Sequence, residues 1–338
     1  MDILLSRTKN PFFEHAEAEY FLAERDGAVV GRIAAIANRL HNETHKDRVG
    51  FFGFFETIDE PAVPAALFQQ AGAWLATRGF DAMRGPASFS VNDEYGLLAS
   101  GFDTPNTIMM PHNPAAYVRL IEGAGFKNVK TLVAYQGGSF EHFVEPPARI
   151  ARAVDLARER YGITVRPLRM NDFKAEVDRV KVLYNRCWES NWGAVPMTNH
   201  EIDHLAEQFK PVVVPDLVPF AECNGEPIGF GLVLPDFNQS FRTNRSGRML
   251  PAALKLLWRL KTQQIHRCRI LLLGVLPEYR GKAVDAILFH WIWTRAGARK
   301  MWWGEGGWVL EDNPAMNAGL QKMGMAAYKT YHVYERPL

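Results

Sequence analysis

Residues 271–288 carry the clearest chemical signal in the chain. Leu271 to Leu276 read as a buried apolar strand, Arg280-Gly281-Lys282 as a tight basic turn, and Val284, Ile287, Leu288 and Trp291 as the apolar positions of a following helix. A turn feeding a helix N-terminus presents unpaired backbone N–H groups and the positive end of the helix dipole. Two cationic side chains beside it make an anion site suited to a pyrophosphate; an ordinary strand-turn-helix with a basic turn is the plainer alternative. The common phosphate fingerprints, G-x-x-x-x-G-K-S/T and a strand-linked G-x-G-x-x-G, are absent. His41 and His45 have i, i+4 spacing, but their polar neighbours read as an exposed loop and Glu43 is out of register with H-E-x-x-H, so no metal is expected. Cys187, Cys223 and Cys268 lack metal-like spacing and read as small buried hydrophobes in a reducing compartment.

The basic turn resembles the pyrophosphate loop of the GNAT acyltransferases, Q/R-x-x-G-x-G/A. Arg280 takes its first position, while Ala283 and Asp285 depart from its two small positions. Trp308 to Met316, leading to a helix that ends at Gly324-Met325, resembles the family's fifth strand and next helix, N-x-x-A-x-x-L-Y-x-x-x-G-F. Asn313 and Gly324 fit; Met316 stands at the Ala position and Leu320 where many members keep a tyrosine that protonates the leaving thiolate. Asn113-Pro114-Ala115, running on to Gly125-Phe126, repeats the Asn313-Pro314-Ala315 segment, and Phe51 to Glu56 repeats the earlier strand with no basic turn after it.

The resemblance implies an α/β (α+β mixed-sheet) fold of two consecutive GNAT-like domains, the first degenerate. It implies acyl-CoA or acetyl-CoA as acyl donor and no metal, the donor meeting Val275, Leu276, Arg280, Gly281, Lys282, Ala283, Val284 and Asn313. Backbone N–H groups near Val275 and Leu276 would serve the oxyanion. Glu305, flanked by Trp302, Trp303 and Trp308, is either the implied base or a solvated or structurally paired carboxylate, with Glu311 and Asp312 nearby on the splayed strands. Tyr328 and Tyr331 are replacements for the missing acid, or core aromatics. Trp188, Asn191, Trp192 and Gly193 fall where such enzymes build the acceptor wall. The polar run Ser88 to Tyr95 either lines an inter-domain cleft, adding Asn92 to that wall, or caps a turn.

These residues need elements to hold them. A length of 338 residues with 47% hydrophobic content supplies two cores, divided here as 1–145 and 146–338 with a Gly/Pro linker across 137–149. Arg25-Asp26-Gly27 and Asn224-Gly225 read as hairpin turns; helices are expected over 63–79, 149–160 and from an Asp172 cap through Cys187. Between Phe237 and Pro277 there is no acidic residue, while Arg242, Arg245, Arg248, Lys255, Arg259, Lys261, Arg267 and Arg269 are basic. Within this insertion, 237–269, Pro251 starts a helix with a narrow stripe of Lys255, Arg259 and Thr262. Leu250, Leu254, Leu256, Leu257, Trp258 and Leu260 cover the rest. Such a helix either lies on an anionic membrane or packs on its own protein.

A net charge of +2 gives no electrostatic case for nucleic acid. No stretch approaches a membrane span, and the N-terminus lacks a basic, apolar leader pattern, so a cytoplasmic chain, free or peripheral on the inner membrane face, is expected. The reading is an acyl-CoA-dependent N-acyltransferase acting on a primary amine, the acceptor a small molecule or an amphipathic lipid of the long-chain-base type. The chain is similar to the bacterial N-acyltransferases that include ceramide synthases. Two alternatives stay open: a Fem-type aminoacyl-tRNA-dependent transferase, and a non-catalytic acyl-CoA-binding scaffold.

Overall fold

The computed structural model describes residues 3–189, 191–242, 244 and 248–338. Its first half runs β1 (Ala16–Arg25), β2 (Ala28–Asn38), α1 (Arg39–His45), β3 (Val49–Thr57), α2 (Ala62–Ala76), β4 (Ala82–Gly85), short strands β5 (Ala87–Ser88), β6 (Glu94–Tyr95) and β7 (Leu97–Ser100), α3 (Ala116–Gly123) and β8 (Lys127–Gly138). The second runs α4 (Ala148–Tyr161), β9 (Ile163–Pro167), α5 (Phe173–Trp188), α6 (Asn199–Phe209), β10 (Pro219–Cys223), β11 (Glu226–Pro235), α7 (Asn238–Phe241) and α8 (Met249–Lys261). It ends with β12 (Arg267–Val275), α9 (Val284–Ala298), β13 (Trp303–Leu310), α10 (Pro314–Lys322) and β14 (Ala326–Pro337).

Local sequence explains the hairpins. Asp26 and Gly27, with φ of 50° and 81°, and Asn224 and Gly225, with 53° and 82°, take the left-handed pair that a two-residue hairpin turn demands. β1–β2 and β10–β11 pair antiparallel across them. In each half a third strand, a crossover helix and a parallel strand follow: β3-α2-β4 and β12-α9-β13. A short helix and a long final strand close each half, as α3-β8 and α10-β14.

The final strands are exchanged. β14 lies beside β4, β8 lies beside β13, and the two pair with each other, so one mixed sheet runs β1-β2-β3-β4-β14-β8-β13-β12-β11-β10-β9. One aromatic cluster, with Phe52, Phe68 and Phe126, fills the space beneath α2 and α3; another, with Ile287, Leu288 and Phe289, seats α9 against Val133 and Tyr135.

Several local expectations need correction. Residues 39–45 form a helix whose first turn is capped by Asn38 Oδ1 accepting from His41 N at 3.1 Å. His41 is buried there, and that burial drives its imidazole pKa down to about 4. Asp172 precedes α5 but makes no capping bond, pairing instead with Arg179 at 3.7 Å. In α8 the apolar residues divide. Leu256 and Leu260 turn inward onto Phe237 and Ile265, whereas Leu250, Leu254, Leu257 and Trp258 are 73%, 61%, 45% and 55% exposed. Arg245 of the basic run lies outside the described residues. Among the described residues, no helix is long and apolar enough to cross a membrane.

Candidate active-site cleft

β12 and β13 are paired only from Arg267↔Trp303 to Ile270↔Gly306. Beyond that point β12 keeps to β11 as far as Val275, while β13 shifts register against β8 between Gly306 and Val309. Two strands held by different neighbours must part. The wedge opens into a cavity of about 610 Å³ walled by 271–273 of β12, 306–310 of β13, the inner faces of α5 and α6, and residues 91–93 and Met109 of the first half. Most of this lining is apolar, including Val177, Val180, Ile202, Leu205 and Phe209.

Backbone geometry decides which amides face the wedge. The Leu276 N–H donates to Ile228 O at 2.9 Å, so Leu276 has no donor left for an oxyanion. Amides alternate direction along an antiparallel strand, which turns those of Val275 and Leu273 toward the gap.

The basic turn lies beyond the cavity, at the end of β12. Gly281 and Ala283 adopt φ of 78° and 59°, and no side chain caps α9, so its first-turn N–H groups are open to an anion. The Arg280 guanidinium donates to Cys187 O at 2.9 Å and to Val275 O at 3.4 Å, which fixes it between β12 and α5. The Lys282 ammonium sits 4.5 Å from the Tyr279 ring centre. Asp285 is exposed in the first turn of α9, where the helix dipole favours a carboxylate. These residues fit a pyrophosphate apart from that one like charge.

Glu305 and Tyr328 come together, yet away from the cleft. Glu305 is 0% exposed; it accepts from Thr107 Oγ1 at 2.5 Å and from the Tyr328 hydroxyl, and its Oε1 lies 3.6 Å from Arg269 Nε. Burial, and then the Glu305 charge, push the Tyr328 phenol upward, so it holds its proton. Neither side chain lines the cavity, whereas Arg269 does, donating to Ile108 O at 2.6 Å and Gly307 O at 2.9 Å. Glu305 is thus sealed among its partners and braces Arg269 beneath the cleft, while Tyr328 is half-buried. Glu311 is exposed beyond the end of β13, its amide on Thr131 O at 3.0 Å, and Asp312 pairs with Lys130 at 2.6 Å. Tyr331 is wholly buried, its hydroxyl without a hydrogen-bond partner among the described residues.

The residues expected to form an acceptor wall meet in the cavity, with one exception. Trp188, Asn191, Trp192 and Asn92 line it, without Gly193. Trp188 stacks on Tyr184 at 5.1 Å, and the Tyr184 hydroxyl donates to Asn92 Oδ1 at 2.7 Å, joining the two halves. Asn92 Nδ2 also donates to Val195 O at 3.2 Å. Asn313 also lines the cavity and caps α10 by accepting from Met316 N at 3.1 Å, and the buried Leu320 lines it too.

Among the cleft residues not recognised in sequence as site residues are Arg269, read only as part of a basic run, and Asp93, hidden within a polar one. Asp93 Oδ2 accepts from Ser90 N at 3.2 Å and Ser90 Oγ at 2.9 Å. Burial raises its carboxyl to about 6, the Ser90 bonds restraining the rise.

Over 344 residues the chain is 36% identical to the bacterial ceramide synthase of Caulobacter vibrioides, spanning 100% of this chain and 88% of that protein. Over 335 residues it is 34% identical to protein YghO of Escherichia coli, spanning 98% and 85%. A tandem GNAT protein from the clavulanic acid biosynthesis pathway shares the fold, with a TM-score of 0.55 at 11% identity over 96% of this chain and 83% of that one. No family model matches the sequence.

Proposed function

The chain belongs to the tandem GNAT acyltransferases, and on that premise we propose that it transfers an acyl group from acyl-coenzyme A to the primary amine of a long-chain, amphipathic acceptor. The observation that carries this reading is the apolar cleft continuing from the parted strands under α5 and α6: it has room for alkyl chain beside the wedge where a thioester would react. The name of the Caulobacter relative, a ceramide synthase, supports an amine of the long-chain-base type.

In this reading the units are 1–145 and 146–338. The second holds the donor through the Arg280–Val284 turn, the Val275 amide and Asn313, and Trp188, Trp192 and Asn92 orient the acceptor. The bound donor supplies the activated acyl carbon; the residues around it align the amine and exclude water. Membrane delivery of the acceptor is part of the proposal. The inner side of α8 packs near Ile108 and Val212, whose neighbours Met109 and Val213 line the cleft, while its outer side is the exposed apolar face. That face, with basic residues along the helix, suits the inner, anionic membrane surface.

Purified protein incubated with palmitoyl- or acetyl-coenzyme A and sphinganine, followed by mass spectrometry, tests the reading. The expected result is N-acylated sphinganine, formed faster from palmitoyl-coenzyme A. Coenzyme A binding without transfer to any long-chain amine would overturn it.

A further inference from the structure

The first half has no basic turn after β3, yet it contributes a carboxylate to the cleft. We propose that Asp93 takes the proton from the acceptor amine, so that the first half supplies the base for a reaction whose donor is held by the second. This deepens the acyltransferase reading and rests on it.

Geometry places Asp93 for the task. The turn from Ser90 to Asp93 fastens to the second half through Tyr184 and Val195, both bound to Asn92. Directly after it, the Tyr95 ring lies 6.0 Å from that of Trp308, at the foot of the wedge in β13, and Glu94 is close enough to Arg269 to feel its charge. Asp93 thus lines the same cavity into which the parted ends of β12 and β13 open. Its Oδ2 is fixed by Ser90, while Oδ1 accepts no hydrogen bond and no cation pairs with it among the described residues. The charged groups acting on it, Glu94 on β6 and Glu201 in the first turn of α6, are both carboxylates; Tyr184 on α5 is held protonated by burial and by the Asp93 and Glu201 charges. A half-buried carboxylate with acidic neighbours and an open oxygen is a receptor for an ammonium group. Its elevated affinity for protons brings it closer to neutrality, where a general base works best.

The ammonium form of the acceptor gives one proton to Asp93 Oδ1, which passes it to water. The freed nitrogen lone pair forms the C–N bond to the thioester carbon, the C–S bond breaks with its electron pair on sulfur, and the second nitrogen proton ends on the thiolate. The products are an amide and the free thiol.

Asp93→Asn keeps the shape and can still accept from Ser90, so folding and coenzyme A affinity should persist. Transfer from palmitoyl-coenzyme A to sphinganine should fall roughly 10²–10⁴-fold in kcat/KM. An ionised base is the active form, so wild-type kcat/KM should rise with pH through the region near 6, and Asp93→Asn should lose that limb. Asp93→Glu should recover part of the rate. A wild type that acylates sphinganine while Asp93→Asn stays within about threefold of it, with the same pH profile, overturns the base role and leaves the transferase reading standing. A wild type that binds coenzyme A but acylates no long-chain amine overturns both.

Discussion

Gly274 controls the position of Trp188, and Gly274→Ala tests whether that position matters. A Cβ built on Gly274 would lie 2.6 and 2.7 Å from two Trp188 ring carbons and 3.0 Å from Cys187 Cβ. Carbon contacts normally sit near ~3.7 Å, so the indole must retreat by about 1 Å. Cys187 is buried and cannot yield, but Trp188 borders the cavity and can swing into it. Overpacking that finds such relief should cost about 1 kcal/mol, the low end of its range, and the loss of chain freedom in the unfolded state offsets part of that. Stability should therefore change little. The displaced indole drags on its Tyr184 stack and on the Tyr184–Asn92 bond, so the acceptor KM should rise several-fold, with coenzyme A affinity unchanged. Denaturant unfolding, titration calorimetry and acceptor saturation curves read the three quantities separately. An unchanged acceptor KM would refute the reasoning, as would a destabilisation above about 3 kcal/mol, which would mean the ring is locked in the core.

The remaining predictions concern the turn, the buried network and α8. Arg280→Glu should weaken coenzyme A binding at least tenfold, or ~1.4 kcal/mol, in calorimetry, because a cation is replaced by a charge of the phosphates' own sign; unchanged affinity would move the pyrophosphate elsewhere. Glu305→Gln should destabilise the protein by about 3–5 kcal/mol in urea unfolding, since it strips the charge partner from the 4%-exposed Arg269; a joint Arg269→Met/Glu305→Leu change should recover much of it. Leu254→Ser/Trp258→Ser should leave stability intact, because both side chains are exposed, but cut sedimentation with anionic vesicles by roughly two orders of magnitude in partition coefficient; equal pelleting of wild type and variant argues for a soluble acceptor.

What sequence revealed follows from the range of the interactions. Asp26-Gly27, Asn224-Gly225 and the basic turn into α9 are set by neighbouring residues, so their chemistry can be read locally. That Trp188 and Trp192 meet at one cavity was legible because they lie on one short segment. For Glu305 a base and a structurally paired carboxylate could not be told apart: its partners Thr107 and Arg269 come from a distant loop and an adjacent strand, so only the assembled sheet shows the pairing. Residues 39–45 misread as loop because the Asn38 cap and the burial of His41 outweigh polar composition. Leu256 and Leu260 could not be told from Leu254 and Leu257 without knowing that Phe237 and Ile265 wait on one side. Asp93 was not singled out from the polar run Ser88 to Tyr95 because it belongs to the half that lacks the basic turn.

The exchange of β8 and β14 has a consequence for how the chain can be divided. A cut in the linker between Gly138 and Ala148 would leave an N-terminal fragment whose own last strand belongs in the other fragment's ladder, and a C-terminal fragment with the reverse debt. Neither piece alone closes its sheet: each would expose the unpaired edge of β4 or β13, the kind of edge that recruits other chains. Supplied together, the pieces have every ladder needed to reassemble, so nicking this linker should leave a non-covalent but working complex, while producing either fragment by itself should give insoluble material.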